Sequence, residues 1–441
     1  MVYNFKKIWE ISYPILFGLI IQQIIGLTDT AFLGRVGEVE LGASAIAGVF
    51  YIMIFMLGQG FSVGAQIIIA RRNGEKNFQR IGPVFYQGSA FLLLAAAAAI
   101  ILILWQAPFI LKQVISSPKV LQASVDYLEP RVSGFVFAFL IVMFRAFYVG
   151  ITDTKILTIN ALLMLVVNIA LDYVLIFGKL GLPAMGIRGA AIASVISEAV
   201  SALFFIIYTF KKTDLKKYGF NNIVIADMGI LGKILNISVW TMLQSVVSLA
   251  TWLMFILATE HLGESELAIT NILRSISSLP YMIVGALYGS ANAITGNLIG
   301  SGKDDQVERT AKKIIIMGYA AGIALELLML ISPYYVMRIY SDNIGLIARA
   351  IPAYYVMLTG YLTLVPGFIL LGVISGTGDT KQAMVLELIA LGAYTLTVWY
   401  VVIYLRADIA ICWFCEHPYN ILLTYLTYRY LKRNNWCCKI I

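Results

Sequence analysis

Residues Ala90–Trp105 read AFLLLAAAAAIILILW and contain no charged residue, glycine or proline. This stretch belongs to a longer apolar run, and an α-helix needs about 20 such residues to cross the hydrocarbon core of a bilayer. The whole chain is 60% apolar and only 13% charged, whereas soluble domains carry about 25% charge. A membrane β-barrel would instead show short alternating segments. The sequence therefore predicts an all-α integral membrane protein.

Similar apolar runs recur along the chain between polar or basic breaks. We predict about twelve membrane-spanning helices, with limits 9–33, 44–70, 83–110, 127–151, 156–178, 187–210, 231–258, 267–298, 311–338, 347–374, 382–405 and 409–431. Lys6 and Lys7 precede the first run, as in a signal peptide, but no small-residue cleavage site follows. We therefore expect a retained first helix.

Basic residues are distributed unevenly among the breaks. Clusters at 71–80, 211–217 and 303–313 fall on one side of the membrane, and fewer basic residues, Arg131 among them, fall on the other. The positive-inside rule then places both termini in the cytoplasm, in a multi-pass protein of the inner or plasma membrane of the cell. The net charge of +8 is explained by loops that face anionic lipid, so we expect no nucleic-acid partner.

The chain also repeats itself. GEVEL at Gly37–Leu41 returns 226 residues later as GESEL at Gly263–Leu267, and GITDTK at Gly150–Lys155 returns at the same distance as GTGDTK at Gly376–Lys381. The period holds six predicted helices, an even number, so we expect two parallel six-helix lobes related by a pseudo-twofold axis along the membrane normal. The predicted parts are an N-terminal lobe (1–210, helices 1–6), a cytoplasmic linker (211–230), a C-terminal lobe (231–431, helices 7–12) and a cytoplasmic tail (432–441).

Charged residues inside the predicted spans are candidates for function, because a charge at the bilayer centre costs at least about 2.5–3.5 kcal/mol. They are Asp29, Arg145, Asp172, Glu198, Arg274, Glu326 and Glu387. Asn168 lies four residues before Asp172, so both side chains share one helix face. An amide and a carboxylate together can hold Na⁺ or a proton. The alternatives are a buried Asp172 that its neighbours satisfy and a helix-end Asp29 at the membrane interface.

Other polar residues in the spans either line a cavity or bond helix to helix, and the sequence leaves both interpretations open. They are Gln22, Gln59, Asn160, Glu198 and Gln244. Ser194 lies four residues before Glu198 and can share its polar pocket. Glu326 and Glu387 lack polar partners nearby in the sequence, so we expect a local hydrogen bond or an interhelical pair for each.

No motif indicates enzyme or cofactor chemistry. Cys412 and Cys415 fall in an apolar helix and are expected to pack, while His261 and His417 have no partner at metal-ligand spacing. No phosphate-binding loop precedes a helix. We expect a protein that is not an enzyme and binds no cofactor, with no metal except Na⁺ at a cation site. Uphill transport would then draw on a gradient of H⁺ or Na⁺.

Several segments in this order resemble the multidrug and toxic compound extrusion (MATE) family. They are YPILFGLIIQQIIGLTDTAFLGRVG (Tyr13–Gly37), GFSVGAQIIIARRNGE (Gly60–Glu75), FRAFYVGITDTK (Phe144–Lys155), NIALDYVLIF (Asn168–Phe177), GIRGAAIAS (Gly186–Ser194) and GVISGTGDTK (Gly372–Lys381). The resemblance implies secondary active efflux of small amphiphilic or cationic substrates by H⁺ or Na⁺ antiport. Two lobes would rock around a central cavity, and we expect one chain to function as a monomer.

The resemblance also implies where the coupling cation binds. In one branch of the family the site lies in the N-terminal lobe, and its residues match Asp29, Asn168, Asp172 and Ser194, the last in place of a threonine. In another branch, acids of the C-terminal lobe matter. Here the comparable regions carry Gln244 and, near the second position, Leu364. We therefore expect the cation site in the first half alone.

Three other classes remain as alternatives. A lipid-linked precursor flippase of the same wider superfamily would need a cationic cavity, and only two arginines, Arg145 and Arg274, lie well inside the predicted spans. A major-facilitator carrier would show an Asp- and Arg-rich loop after the second span, where this chain has RRNGEKNFQR (71–80). A membrane-embedded enzyme would need a clustered metal or acid–base set.

Overall fold

A computed structural model describes residues 3–221 and 227–433, apart from the side chain of Pro108. Within these ranges every regular element is a helix. The helices are α1 (Phe5–Val36), α2 (Glu38–Gly74), α3 (Ile81–Val114), α4 (Pro118–Arg131), α5 (Phe135–Gly150), α6 (Lys155–Phe177), α7 (Gly186–Lys212), α8 (Met228–Glu260), α9 (Glu264–Gly300), α10 (Val307–Ile331), α11 (Pro333–Arg338), α12 (Ile344–Gly376), α13 (Thr380–Val398), α14 (Ile409–Trp413) and α15 (Glu416–Lys432). The all-α prediction is confirmed.

In the described part of the chain, eleven helical segments are long and apolar enough to cross a membrane. One of them, Pro118–Gly150, joins α4 and α5 through a 3₁₀ turn, so it begins nine residues before the predicted limit of 127. The last predicted span, 409–431, is instead divided into the short helix α14 and the 17-residue α15. Residues 222–226 of the predicted linker and 434–441 of the predicted tail lie outside the described ranges.

The helices form two compact units. The N-terminal unit, Phe17–Met242, contains most of α1, all of α2–α7 and the first half of α8. The C-terminal unit contains residues up to Leu16 and from Leu243 onward. The division therefore falls within α1 and α8, because the first turns of α1 pack with the second half of the chain. Ser12 shows this directly, since its hydroxyl donates to Ser290 Oγ at 2.8 Å.

In the N-terminal unit, glycines let helices approach closely around α6. This helix ends at Gly178, which adopts the left-handed conformation (φ 66°) that ends many helices. The chain then returns as α7, where a Cβ on Gly189 would lie 2.7 Å from the carbonyl oxygen of Leu175. Helices α6 and α7 therefore pack backbone to backbone, as small residues permit in membrane proteins.

In the C-terminal unit, the largest buried cluster surrounds Trp413 and Tyr354, both of which are almost fully buried. Cys412 and Cys415 belong to the same cluster and are free thiols. They fill space beside aromatic rings, which is the packing role that the sequence predicts for them.

Candidate functional site

The acid pair predicted in the first half comes together in the N-terminal unit. Asn168 and Asp172 lie one turn apart on α6, each with 0% of its surface exposed. Asp29, half-buried on α1, is an electrostatic neighbour of both side chains. We call these three residues the Asp29–Asp172 cluster.

The polar atoms of this cluster are unsatisfied. Asp29 Oδ1, both amide atoms of Asn168 and both carboxyl oxygens of Asp172 are buried without a hydrogen-bond partner of good geometry among the described residues. Each buried unsatisfied group costs about 1–3 kcal/mol, so native proteins keep few of them without a reason. Four of the five atoms are oxygens, which hard cations prefer as ligands. The donor set therefore fits either Na⁺ or protons shared between the carboxyl groups.

Ser194 and Asn160 stand apart from this cluster. In the described chain no hydrogen bond joins Ser194 to Asp29, Asn168 or Asp172, and its carbonyl accepts from Ser197 Oγ at 2.8 Å. Asn160 and Ser201 bond reciprocally across α6 and α7, at 2.8 and 3.1 Å. Asn160 is therefore a helix-to-helix link, one of the two interpretations that the sequence left open.

Glu198 is occupied by a partner that the sequence did not indicate. Its carboxylate accepts two hydrogen bonds from the Arg131 guanidinium, at 2.7 and 2.9 Å, and a third from Tyr51 Oη at 3.2 Å. The guanidinium also lies 3.7 Å from the centre of the Tyr51 ring. Gly134 leaves room for the pair, since a Cβ there would lie 2.5 Å from Glu198 Oε2.

This arrangement corrects the prediction that Arg131 is a loop residue. It is the last residue of α4 and is buried, because α4 runs on into α5 through a 3₁₀ turn and the guanidinium pairs with Glu198 on α7. The Arg131–Glu198 pair acts electrostatically on Asp29. The N-terminal unit thus holds one neutralised ion pair beside two acids that form no ion pair with a described basic side chain. No signal in the sequence could have joined α4 to α7 across 67 residues.

The two glutamines predicted near the cavity are more exposed. Gln22 is exposed on α1 and Gln59 is half-buried on α2. Neither side chain hydrogen-bonds to another described residue, and only the backbone carbonyl of Gln59 accepts, from Ser62 Oγ at 2.8 Å. Both amides are therefore free to contact a solute.

The C-terminal unit has its own buried acid, Glu387 on α13. Its carboxylate accepts from Ser248 Oγ at 2.8 Å and from Gln244 Nε2. This is an interhelical pair, one of the two alternatives expected for Glu387, and it gives Gln244 a partner. Leu364, at the other comparable position, is buried in an apolar cluster. Of the two uncharged positions predicted from the resemblance, Gln244 is thus accompanied by an acid from a different helix, which the resemblance did not indicate.

Metal chemistry of the catalytic kind finds no support in the described residues, where no group of three or more His, Cys, Asp or Glu side chains converges. His417 is buried and shares a hydrogen bond with Thr359 Oγ1 at 3.0 Å, while His261 is exposed. The Asp29–Asp172 cluster, with its oxygens without partners, remains the strongest candidate for binding an ion.

Buried acids within helices that are long and apolar enough to cross a membrane are typical of secondary transporters. The profile of the MatE family matches residues 14–174 and again 237–401, which together make up most of the chain. The chain belongs to the MatE family. The two successive matches also agree with the internal repeat predicted from the sequence.

Relatives support this assignment. The chain is 27% identical over 401 residues to a probable multidrug resistance protein NorM of Agrobacterium fabrum, covering 88% of this chain and 84% of that protein. It is 26% identical to the corresponding Rhizobium meliloti protein, with 88% and 84% covered.

Solved structures share the fold. One is a multidrug resistance MATE family transporter of the MOP superfamily in an outward-facing conformation, with a TM-score of 0.89, 18% identity, and coverage of 98% of this chain and 95% of that one. Another is a MOP superfamily transporter from Pyrococcus furiosus, with a TM-score of 0.88, 18% identity, and coverage of 99% and 97%. The reversed polarity of the binding pocket in that protein suggests a different function for it.

Proposed function

We propose that this protein exports amphiphilic organic cations in exchange for H⁺ or Na⁺, and that the Asp29–Asp172 cluster holds the coupling ion. One observation carries the proposal: Asp29 Oδ1, both amide atoms of Asn168 and both carboxyl oxygens of Asp172 are buried without a hydrogen-bond partner of good geometry among the described residues. A bound Na⁺, or protons shared by the two carboxyl groups, would satisfy these oxygens. The relatives named as multidrug resistance proteins support the choice of substrate.

The ion and the substrate would alternate. Binding of the ion removes the cost of the unsatisfied oxygens and favours the conformation that holds it, so a ligand with differential affinity shifts the equilibrium. Release of the ion on the other side of the membrane leaves these oxygens unsatisfied again. The two units then rock as a monomer in the cell membrane, with both termini in the cytoplasm and without a cofactor or an enzymatic step. Ser194 joins the cluster in the ion-bound state.

The test is transport of a fluorescent organic cation in proteoliposomes with separately imposed Na⁺ and H⁺ gradients. We expect one gradient to drive transport and Asp172→Asn to abolish that response. Glu326→Gln is the matched control, because Glu326 is a half-buried acid of α10 outside the cluster. Transport that responds to neither gradient, or that is unchanged in Asp172→Asn, would refute the proposal.

The flippase alternative receives less support from the described residues. Such a protein needs several free basic groups for a pyrophosphate. Arg131 is neutralised by Glu198 and Arg274 lies 3.8 Å from Glu416, which leaves Arg145 alone of the two arginines predicted within the spans. The experiment separates the two functions, because a flippase would move a lipid-linked anion and leave the organic cation untransported.

A further inference from the structure

Residues 213–221, which follow α7, fold back onto the N-terminal unit. The backbone N–H of Gly82 donates to the carbonyl of Tyr218 at 2.7 Å. Gly219 is buried and has a positive φ of 71°, and a Cβ there would lie 2.1 Å from the carbonyl oxygen of Gln79, so this position requires glycine. We call residues 213–221 the return segment. Its backbone is fixed against the turn between α2 and α3.

Aromatic packing holds the return segment from its other side. Phe220 is 7% exposed, and its ring centroid lies 5.4 Å from that of Phe85 and 5.3 Å from that of Phe147. The hydroxyl of Tyr86 donates to the carbonyl of Phe220 at 2.9 Å. The return segment therefore has one conformation, and it carries its charged residues at fixed places on the unit.

Six basic side chains lie at this end of the N-terminal unit, and all of them are exposed. They are Lys76 and Arg80 of the α2–α3 turn, Lys211 and Lys212 at the end of α7, and Lys216 and Lys217 of the return segment. We call these six residues the basic patch. Gln79 Nε2 donates to the carbonyl of Lys216 at 2.6 Å, which joins the α2–α3 turn to the return segment.

The positive charges of the basic patch are not balanced by the protein. Among the described residues, none of the six forms an ion pair. The nearby carboxylate of Glu75 is engaged by Arg71 and Arg72, at 3.7 and 2.8 Å. Asp214 accepts from the backbone N–H of Lys217 at 2.9 Å, not from its ammonium group. Six like charges on an ordered surface therefore favour an anionic partner.

The position of the basic patch indicates what that partner is. The segments Phe78–Ala107 and Gly186–Lys212 are both long and apolar enough to cross a membrane, and the patch lies where the first begins and the second ends. Phe210, which is 64% exposed, precedes the lysines of α7 and offers apolar surface beside them. Clusters of four to eight Lys or Arg residues next to a membrane span are typical of binding to anionic lipid headgroups.

We propose that the basic patch binds the headgroups of anionic phospholipids, whose acyl chains remain in the bilayer beside the apolar end of α7. All six side chains are exposed and they come from three segments, which suits a surface of several headgroups better than one small soluble anion. Lys217 Nζ lies 4.6 Å from the centre of the Phe78 ring and 4.9 Å from that of Tyr218, so aromatic faces help to hold this ammonium group in place. The proposal does not depend on the transported substrate or on the coupling ion.

The test is equilibrium binding of phosphatidylglycerol with a fluorescent acyl chain to the purified full chain in nonionic detergent. Phosphatidylcholine with the same chains and label is the neutral control. One Lys near an anionic headgroup contributes a factor of about five in affinity. Lys216→Gln/Lys217→Gln should therefore weaken binding of phosphatidylglycerol by about 10- to 30-fold, with phosphatidylcholine unaffected. Lys112→Gln/Lys119→Gln removes two exposed lysines at the opposite end of the same unit and should bind like the wild type.

Charge-retaining variants separate the charge from the shape of the side chain. Lys216→Arg/Lys217→Arg should bind phosphatidylglycerol like the wild type, and added salt should weaken binding by both proteins. Thermal unfolding shows whether each variant is folded. If Lys216→Gln/Lys217→Gln does not fold, Lys211→Gln/Lys212→Gln removes two patch charges outside the return segment and should lose a similar factor.

Three results would overturn the proposal. They are equal affinity of the wild type for the two lipids, a folded Gln variant of the basic patch that binds phosphatidylglycerol within twofold of the wild type, and displacement of the lipid by an equal concentration of soluble glycerol phosphate. Selective lipid binding by a protein whose transport responds to neither ion gradient would support the basic patch while refuting the antiport mechanism.

Discussion

Replacing one residue of the buried Arg131–Glu198 pair should lower the free energy of unfolding more than replacing both. Replacing Glu198 alone with Met leaves the Arg131 guanidinium buried, without the two hydrogen bonds of 2.7 and 2.9 Å that satisfy it. Removing one partner of a buried ion pair typically costs about 3–5 kcal/mol, whereas replacing both with apolar residues of similar size is often neutral or stabilising. The double variant Arg131→Met/Glu198→Met should therefore recover most of the loss.

Tyr51 affects the loss of unfolding free energy that we expect for the double variant. It donates to Glu198 at 3.2 Å, and its ring lies 3.7 Å from the guanidinium. The double variant leaves the Tyr51 hydroxyl without this acceptor, at a cost of about 1–3 kcal/mol if no other partner replaces it. We therefore expect each single variant to lose about 3–5 kcal/mol and the double variant about 1–3 kcal/mol.

The assay is a double-mutant cycle on the free energy of unfolding, measured by reversible denaturation in mixed micelles. Arg131→Met and Glu198→Met are each measured alone and together, and Glu326→Met is a control acid whose loss should not couple to Arg131. The refuting result is additivity, with the double variant losing the sum of the two single losses. That outcome would mean that the two side chains do not stabilise each other.

Three further predictions follow from the same structure. Na⁺ or acidic pH should raise the melting temperature of the wild type but not of Asp172→Asn, since a ligand that binds only the folded state stabilises it; equal stabilisation of both would count against the ion site. Gly60→Leu should destabilise the protein by at least about 1–3 kcal/mol through overpacking, because a Cβ at Gly60 would already lie 2.6 Å from Met242 Cα; a melting temperature like that of the wild type would contradict this packing. Asn160→Ala should cost about 1–3 kcal/mol of unfolding free energy by leaving Ser201 without its partner, with the ion dependence of transport retained; loss of that dependence would place Asn160 in the ion site.

The sequence predicted what local helical geometry determines. Asn168 and Asp172 share a face because they are four residues apart, and the structure buries both. The proximity of Asp29 was expected from the family resemblance alone, since it depends on how α1 packs. Pairs that depend on tertiary packing could not be predicted from the sequence. Glu387 contacts Gln244 across 143 residues, and the sequence around each residue does not indicate its partner.

The two buried acids, Asp172 and Glu387, differ in their hydrogen-bond partners, and this difference limits what each can bind. Among the described residues Asp172 receives no hydrogen bond of good geometry, and 0% of its surface is exposed, so any further partner would have to be small. Glu387 already receives two donors and lacks only a charge. A partner of Glu387 could therefore leave its two hydrogen bonds in place, whereas a partner of Asp172 would have to supply the contacts that its oxygens lack. The duplicated halves thus place their buried acids in unlike environments.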